Sequence, residues 1–331
     1  MARNTARRVQ TLDQETLPEA DRAAPFPHPR ETRHVCGHAD AQSALAEALT
    51  SGRSHHAWLI TGPPGIGKAT LCYAATRYWL SAPEERCADL SVPDESVAAR
   101  QVAALSHPGL LVVRRPYDTK TKRFRTVITV DEMRRVLGFV QHTSGGDGRR
   151  AIIIDAVDDL NTSAANAVLK SLEEPPPQTL FFMVCAQPGR VLPTIRSRCR
   201  TLALAPLGND EVAKAAQAAI DAADPPVEGD MTLTTERIAS AKGSPGRLLT
   251  MLAGVGAALT DAVDAVFKRL PDVDWVSINR LADDVARADQ TARFDLFSAV
   301  FLDRLADATR SAACGEAAGS WASDAGPAVL A

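Results

Sequence analysis

No stretch of about 18 apolar residues occurs in the 331-residue sequence, so no segment is expected to cross a membrane. A basic excess is missing as well. The 37 lysines and arginines face 40 aspartates and glutamates, a formal net charge of −3, which argues against a protein whose main task is coating nucleic acid. Local basic surface remains compatible with that balance. The six cysteines (Cys36, Cys72, Cys87, Cys185, Cys199 and Cys314) include no C-x-x-C spacing. Neither a zinc module nor a dense disulfide scaffold is expected, and thiols without a framework fit a reducing cytoplasm. The opening "MARNTARRVQTLDQETLPEADRAAPFPHPR" lacks the apolar stretch of a secretory signal, and its charges and prolines predict a mobile tail over residues 1–30.

What is present reads as an α/β domain with helices after it. Alanines and leucines in "HADAQSALAEALTSG" recur with helical spacing and stop at Gly52. "HHAWLITG" is a buried strand running into a glycine-rich loop, and "KATLCYAATRYWL" is the following helix. Further strands are expected at 109–113, 151–157 and 179–186. Between the last two, Asn161 or Thr162 can cap a helix that Pro175 ends. Apolar strands alternating with helices imply a parallel sheet covered on both faces, placed over roughly 31–205. Beyond "LALAPLGNDE" the chain becomes alanine-rich and helical, with one helical domain at 206–255 and another at 256–331. In the latter, Phe294, Phe297, Phe301 and Leu305 share one helix face, an ordinary core face or else a partner-binding seam.

The segment "GPPGIGKAT" is a phosphate-binding loop with one flaw. Gly62, Gly67 and Lys68 meet the pattern G-x-x-x-x-G-K-[ST], with Gly65 inside it, but Ala69 stands where a hydroxyl normally ligates magnesium. Thr70 carries a hydroxyl one place late, about 100° further round the helix. The loop is therefore either a weak nucleotide site or a shape kept for packing. Asp155 ends an apolar strand where a magnesium-organising carboxylate belongs, and the second flaw is the residue after it, Ala156, which cannot place a water. Asp158 and Asp159 follow too far along to face the same space. In "LPTIRSRCRTLAL", Arg196, Arg198 and Arg200 alternate, which describes a solvated strand edge or an arginine reaching into another subunit's triphosphate site. The basic stretch "RRPYDTKTKRFR" at 114–125 reads as a hairpin tip, either solvated charge or a phosphate contact.

Taken together, "HHAWLITGPPGIGKAT", "SAANAVLKSLEEPP", "LPTIRSRC" and "GSPG" resemble the δ′-subunit family of bacterial DNA polymerase III, in the clamp-loader branch of the AAA+ proteins. The resemblance runs over nearly the whole chain after the first thirty residues. It implies a P-loop AAA+-like domain over 31–205, a helical lid over 206–255 and a helical collar over 256–331. The ATP-hydrolysing γ/τ relatives carry a Lys-Ser/Thr pair, an Asp-Glu pair and a sensor threonine. Here the matching positions are Lys68-Ala69, Asp155-Ala156 and Cys185-Ala186, and the second sensor arginine is replaced by Gly246, with Arg247 one place off. Arg198 of "SRC", which in the family serves a neighbour's nucleotide, is retained.

The family thus implies a cytoplasmic, largely non-hydrolysing subunit of the replication machinery. Its partners would be δ and γ/τ and, through them, the sliding clamp and primer–template DNA. Its site residues would be Gly62, Gly65, Gly67, Lys68, Thr70 and Asp155 at a degenerate nucleotide site, with Arg198 as the finger acting in trans. No cofactor is required, and weak ATP or ADP binding stays open. Many relatives place four zinc-binding cysteines after the P-loop helix; only Cys87 occurs there, so no zinc is expected. The end of the chain, 314–331, lacks a strong helical pattern, so the collar is expected to fray or stop early. The rival readings are an active γ/τ-type ATPase in which Thr70 replaces the missing ligand, and a stand-alone DNA-binding module.

Overall fold

Short apolar runs recur through the first two hundred residues; those at 57–61, 151–154 and 179–185 become buried parallel strands, and that at 110–114 becomes a half-buried one. The computed structural model describes residues 17–51, 55–141, 148–269, 272, 274–286 and 291–313. The chain runs through α1 (Ala39–Thr50), β1 (Ala57–Thr61), α2 (Lys68–Leu80), α3 (Val97–Ala103), β2 (Leu110–Arg114), β3 (Tyr117–Asp118), β4 (Arg123–Phe124) and α4 (Val130–Gln141). It continues through β5 (Arg150–Asp155), α5 (Thr162–Glu173), β6 (Thr179–Cys185), α6 (Pro193–Arg196) and β7 (Arg200–Ala203). Five strands form one sheet in the order β2-β5-β6-β1-β7, with every pairing parallel.

Both faces of that sheet are covered, and the period-two alternation of side chains divides the core in two. Trp58, Ile60, Ile153, Phe182 and Val184 pack on one side with Leu45, Leu71 and Tyr73 from α1 and α2. Leu59, Ile152, Ile154, Phe181 and Met183 pack on the other with Met133 and Val136 of α4 and Val168 and Leu172 of α5. Asn161 caps α5, its side chain accepting the Ala164 N–H at 2.8 Å, as the sequence leads one to expect.

After β7 come α7 (Asn209–Asp221), α8 (Thr235–Ser240) and α9 (Pro245–Leu252), then α10 (Gly254–Arg269), α11 (Trp275–Val285) and α12 (Thr291–Ala313). The α/β domain followed by helical segments is the architecture the resemblance implies. The aromatic stripe on α12 splits its roles. Phe297 and Leu305 pack against Val263 and Phe267 of α10, whereas Phe294 stays 53% exposed. Arg304 donates two hydrogen bonds to Asp264, at 2.6 and 3.0 Å, and ties α12 to α10. The expected fraying at 314–331 lies outside the described residues.

The expected tail over 1–30 needs correction. Residues 1–16 lie outside the described residues, but from Glu19 onward the segment packs against the rest of the chain. Phe26 is fully buried in the core formed by Val212 and Ala216 of α7 and Leu248 and Leu252 of α9. His28, also fully buried, sits 3.0 Å from the Asp21 carboxylate, which in turn lies 3.1 Å from Arg114 at the end of β2. Burial alone would raise the Asp21 carboxyl, but the His28 hydrogen bond and the Arg114 charge hold it below the usual carboxylate range. Charge-rich composition suggested disorder. Long-range partners supplied by the folded sheet neutralise those charges instead.

Candidate nucleotide and arginine-finger sites

The glycine-rich loop follows β1 at the carboxyl rim of the sheet, and α2 starts at Lys68. Gly62, Gly65 and Gly67 all adopt positive φ, so the loop keeps a phosphate-cradling shape. Its interior chemistry points elsewhere. Lys68 is buried, and its ammonium donates to the loop's own carbonyls, Gly62 O at 2.8 Å and Pro63 O at 2.6 Å. Burial pulls that ammonium's pKa down, while Asp155 and Asp158 push it back up. Ala69 and Thr70 are the second and third residues of α2, so the Thr70 hydroxyl projects about 100° away from the direction a magnesium ligand would take.

Asp155 ends β5, beside β6 on the same rim. Burial lifts its carboxyl to about 7, Asp21 adds repulsion, and Lys68 opposes both. The acids after it do not compensate for Ala156. Asp158 turns away to accept the backbone N–H of Gln187 at 2.9 Å and of Ala186 at 3.3 Å, while Asp159 pairs with Arg115 at 3.2 Å. The residues present therefore do not fit magnesium-assisted phosphoryl transfer, because no hydroxyl follows Lys68 and no carboxylate follows Asp155 to place a water. Gly62, Gly65, Gly67, Lys68 and Asp155 do gather at this one rim.

Sequence reading missed what covers the loop. Ser244, the N-cap of α9, accepts the Arg247 N–H at 3.2 Å and donates its hydroxyl to Pro64 O at 3.0 Å. Gly246 N–H donates to Gly65 O at 2.9 Å. The two backbones meet so closely that a Cβ on Gly65 would stand 2.5 Å from Ser244 Oγ, and one on Gly246 would stand 2.9 Å from Gly65 Cα. The serine and second glycine of "GSPG" thus dock the start of α9 onto the P-loop.

That contact yields a prediction. Gly65 has φ of +73°, so Gly65→Ala meets both backbone strain and collision with Ser244. We expect a loss of about 1–3 kcal/mol in stability and faster limited proteolysis of the connection between β7 and α7. Cleavage at the parental rate would show that the loop does not hold α9.

The arginines after β6 separate by position. Arg200 lies over the Trp58 ring, 4.9 Å from its centroid, and Arg196 closes α6. Arg198 reaches outward: its guanidinium donates to Thr194 O at 3.0 Å and pairs with Glu173 at 2.8 Å, with about a third of the side chain exposed. Glu173, from "LKSLEEPP", is the other residue that sequence reading missed. Because β7 runs parallel to β1, with Trp58 opposite Arg200 and Thr61 opposite Ala203, Arg198 stands at the amino rim. Its own P-loop leaves from the carboxyl rim, about 13 Å away along four residues of strand.

Among the described residues, no His/Cys/Asp/Glu group is arranged to hold a metal ion, and no helix is long and apolar enough to cross a membrane.

The family described as "DNA polymerase III, delta subunit" matches residues 37–208. DNA polymerase III subunit delta′ of Pseudomonas aeruginosa is 36% identical over 159 residues, 48% of this chain and 46% of that protein. The delta′ subunit of Escherichia coli is 29% identical over 235 residues, 71% of this chain and 66% of that protein. The tau subunit of Escherichia coli is 26% identical over 266 residues, 76% of this chain and 38% of that protein. The chain thus spans about half to two thirds of the length of the delta′ relatives it matches. A loop with phosphate-binding shape on a five-stranded parallel sheet, helices following it, and the matched span together place the chain in the DNA polymerase III delta-subunit family, a δ′-like member of the clamp-loader branch of the AAA+ proteins.

Proposed function

We propose that this chain is a stationary, non-hydrolysing subunit of the cytoplasmic clamp loader of DNA polymerase III. In this reading residues 31–205 form the AAA+ core, 206–255 the lid and 256–331 the collar segment that joins δ and γ/τ. The assembly they form opens the sliding clamp and places it on primer–template DNA. The chain's own chemistry is one guanidinium: Arg198 enters the ATP site of the adjacent γ/τ subunit and neutralises charge developing on the transferred phosphoryl group. The position of Arg198 on the rim opposite its own P-loop carries this reading, since such an arm serves a neighbour and cannot serve itself. The closed P-loop supports the other half. Lys68 is turned onto loop carbonyls, and α9 is docked on Pro64 and Gly65. Any ATP or ADP held there would be bound weakly and left intact.

The purified chain is expected to release no phosphate from ATP with magnesium above the level of Lys68→Ala protein. Turnover by the parent that Lys68→Ala abolishes would favour the rival reading, an active γ/τ-type ATPase.

A further inference from the structure

Between β2 and α4 the chain makes a short hairpin that takes no part in the P-loop or the Arg198 site. Residues 114–125, "RRPYDTKTKRFR", hold six cationic residues and one acid, a net of +5 within a chain of −3, which leaves −8 for everything else. The two arginines at the root are occupied, Arg114 by Glu19 and Asp21, and Arg115 by Asp159 at 3.2 Å. They anchor the hairpin to the sheet rim. Above them β3 pairs antiparallel with β4, the Tyr117 and Phe124 rings meet edge to face at 5.3 Å, and Arg125 N–H donates to Pro116 O at 2.9 Å.

The single acid is taken up by the turn, and among the tip cations only the Arg125 charge acts on it. Asp118 accepts the backbone N–H of Thr121 at 3.1 Å and of Lys120 at 2.9 Å, and those bonds hold its carboxyl below the usual range. Lys120, Lys122, Arg123 and Arg125 are left exposed, and none forms an ion pair among the described residues. A merely solvated face looks different. On α4, a few residues later, Arg134 sits 2.5 Å from Asp131, and Arg135 sits 2.7 Å from Glu132. Beside the tip lies an open groove of about 960 Å³, lined by Asp118 and residues 121–127.

We propose that this hairpin is a direct contact for the phosphate backbone of DNA, with Lys120, Lys122, Arg123 and Arg125 neutralising up to four phosphates. The paired strands and the Asp118 turn fix the backbone from which the four cations project, and the rest of the chain carries the opposite net charge. Contact through phosphates alone makes the binding indifferent to sequence. The choice of DNA among polyanions rests on the replication role proposed above.

The test uses the full chain alone with a fluorescent duplex oligonucleotide, read by anisotropy across a salt series. Four phosphate contacts predict a slope of log K against log salt near −3.6, a fall of about a hundredfold between 50 and 200 mM salt. A quadruple Gln variant at 120, 122, 123 and 125 should lose most of that slope, while a variant with Lys120→Arg and Lys122→Arg should keep it. Matched circular-dichroism melts confirm that the variants fold. No binding by the parent at 50 mM salt, or an unchanged slope in the Gln variant, overturns the proposal. So does equal competition by polyglutamate of matched charge, which would assign the face to an acidic protein. None of these results depends on Arg198, so a failure here leaves the finger reading standing.

Discussion

Replacing Arg198 with alanine should slow ATP hydrolysis at the neighbouring γ/τ site by about 10³–10⁵-fold, the range such arginines contribute elsewhere. The effect is expected at one interface only, so the informative assay is a reconstituted complex in which just the adjacent γ/τ copy retains an intact P-loop lysine. Total ATPase of an unmodified complex would hide the loss behind the remaining sites. Arg198→Lys should recover little, because an ammonium keeps the charge but not the planar fork that grips phosphate oxygens. The resting contact offers slight resistance to this use. The Arg198–Glu173 pair is partly exposed on both sides, and pairs of that kind contribute about 0–1 kcal/mol. Glu173 thus orients the arm without trapping it. Wild-type turnover by the Arg198→Ala complex would remove the finger assignment and leave the family membership intact.

The second large effect concerns stability. Phe26→Ala should cost about 3–5 kcal/mol, because a fully buried aromatic ring leaves a cavity that its neighbours cannot close completely. Its surroundings are Val212, Ala216, Leu248 and Leu252, so the loss should fall on α7 and α9 rather than on the sheet. Hydrogen exchange reads this directly: amides of α7–α9 should open at lower free energy while those of β1, β5 and β6 hold. The same segment is tied to the sheet rim by Asp21 and His28 against Arg114, so residues 17–30 join the helical layer to the α/β layer. Unchanged protection in α7–α9 would mean that Phe26 fills space without supporting it.

The Gly65 and Phe26 substitutions bear on one property. In the proposed stationary role the helical layer stays fixed to the core, and two separate contacts hold the two together. One is the docking of Ser244 and Gly246 on the P-loop. The other is Phe26. Here the positions that would bind nucleotide instead bind the protein itself.

Much of this molecule was legible in its sequence by itself. The apolar runs at 57–61, 150–155 and 179–185 declare buried parallel strands, Asn161 declares a helix start, and the missing groups at Ala69 and Ala156 speak against self-contained hydrolysis. Those features are encoded over a few residues, in side-chain period, capping chemistry and motif spacing, so a linear reading reaches them. The tertiary structure alone decided which rim Arg198 occupies, that Glu173 holds it, that Ser244 closes on Pro64 across 180 residues of chain, and that a charged N-terminal segment is packed rather than loose. Each depends on the spatial order of strands or on partners far apart in sequence, and local propensity carries no information about either.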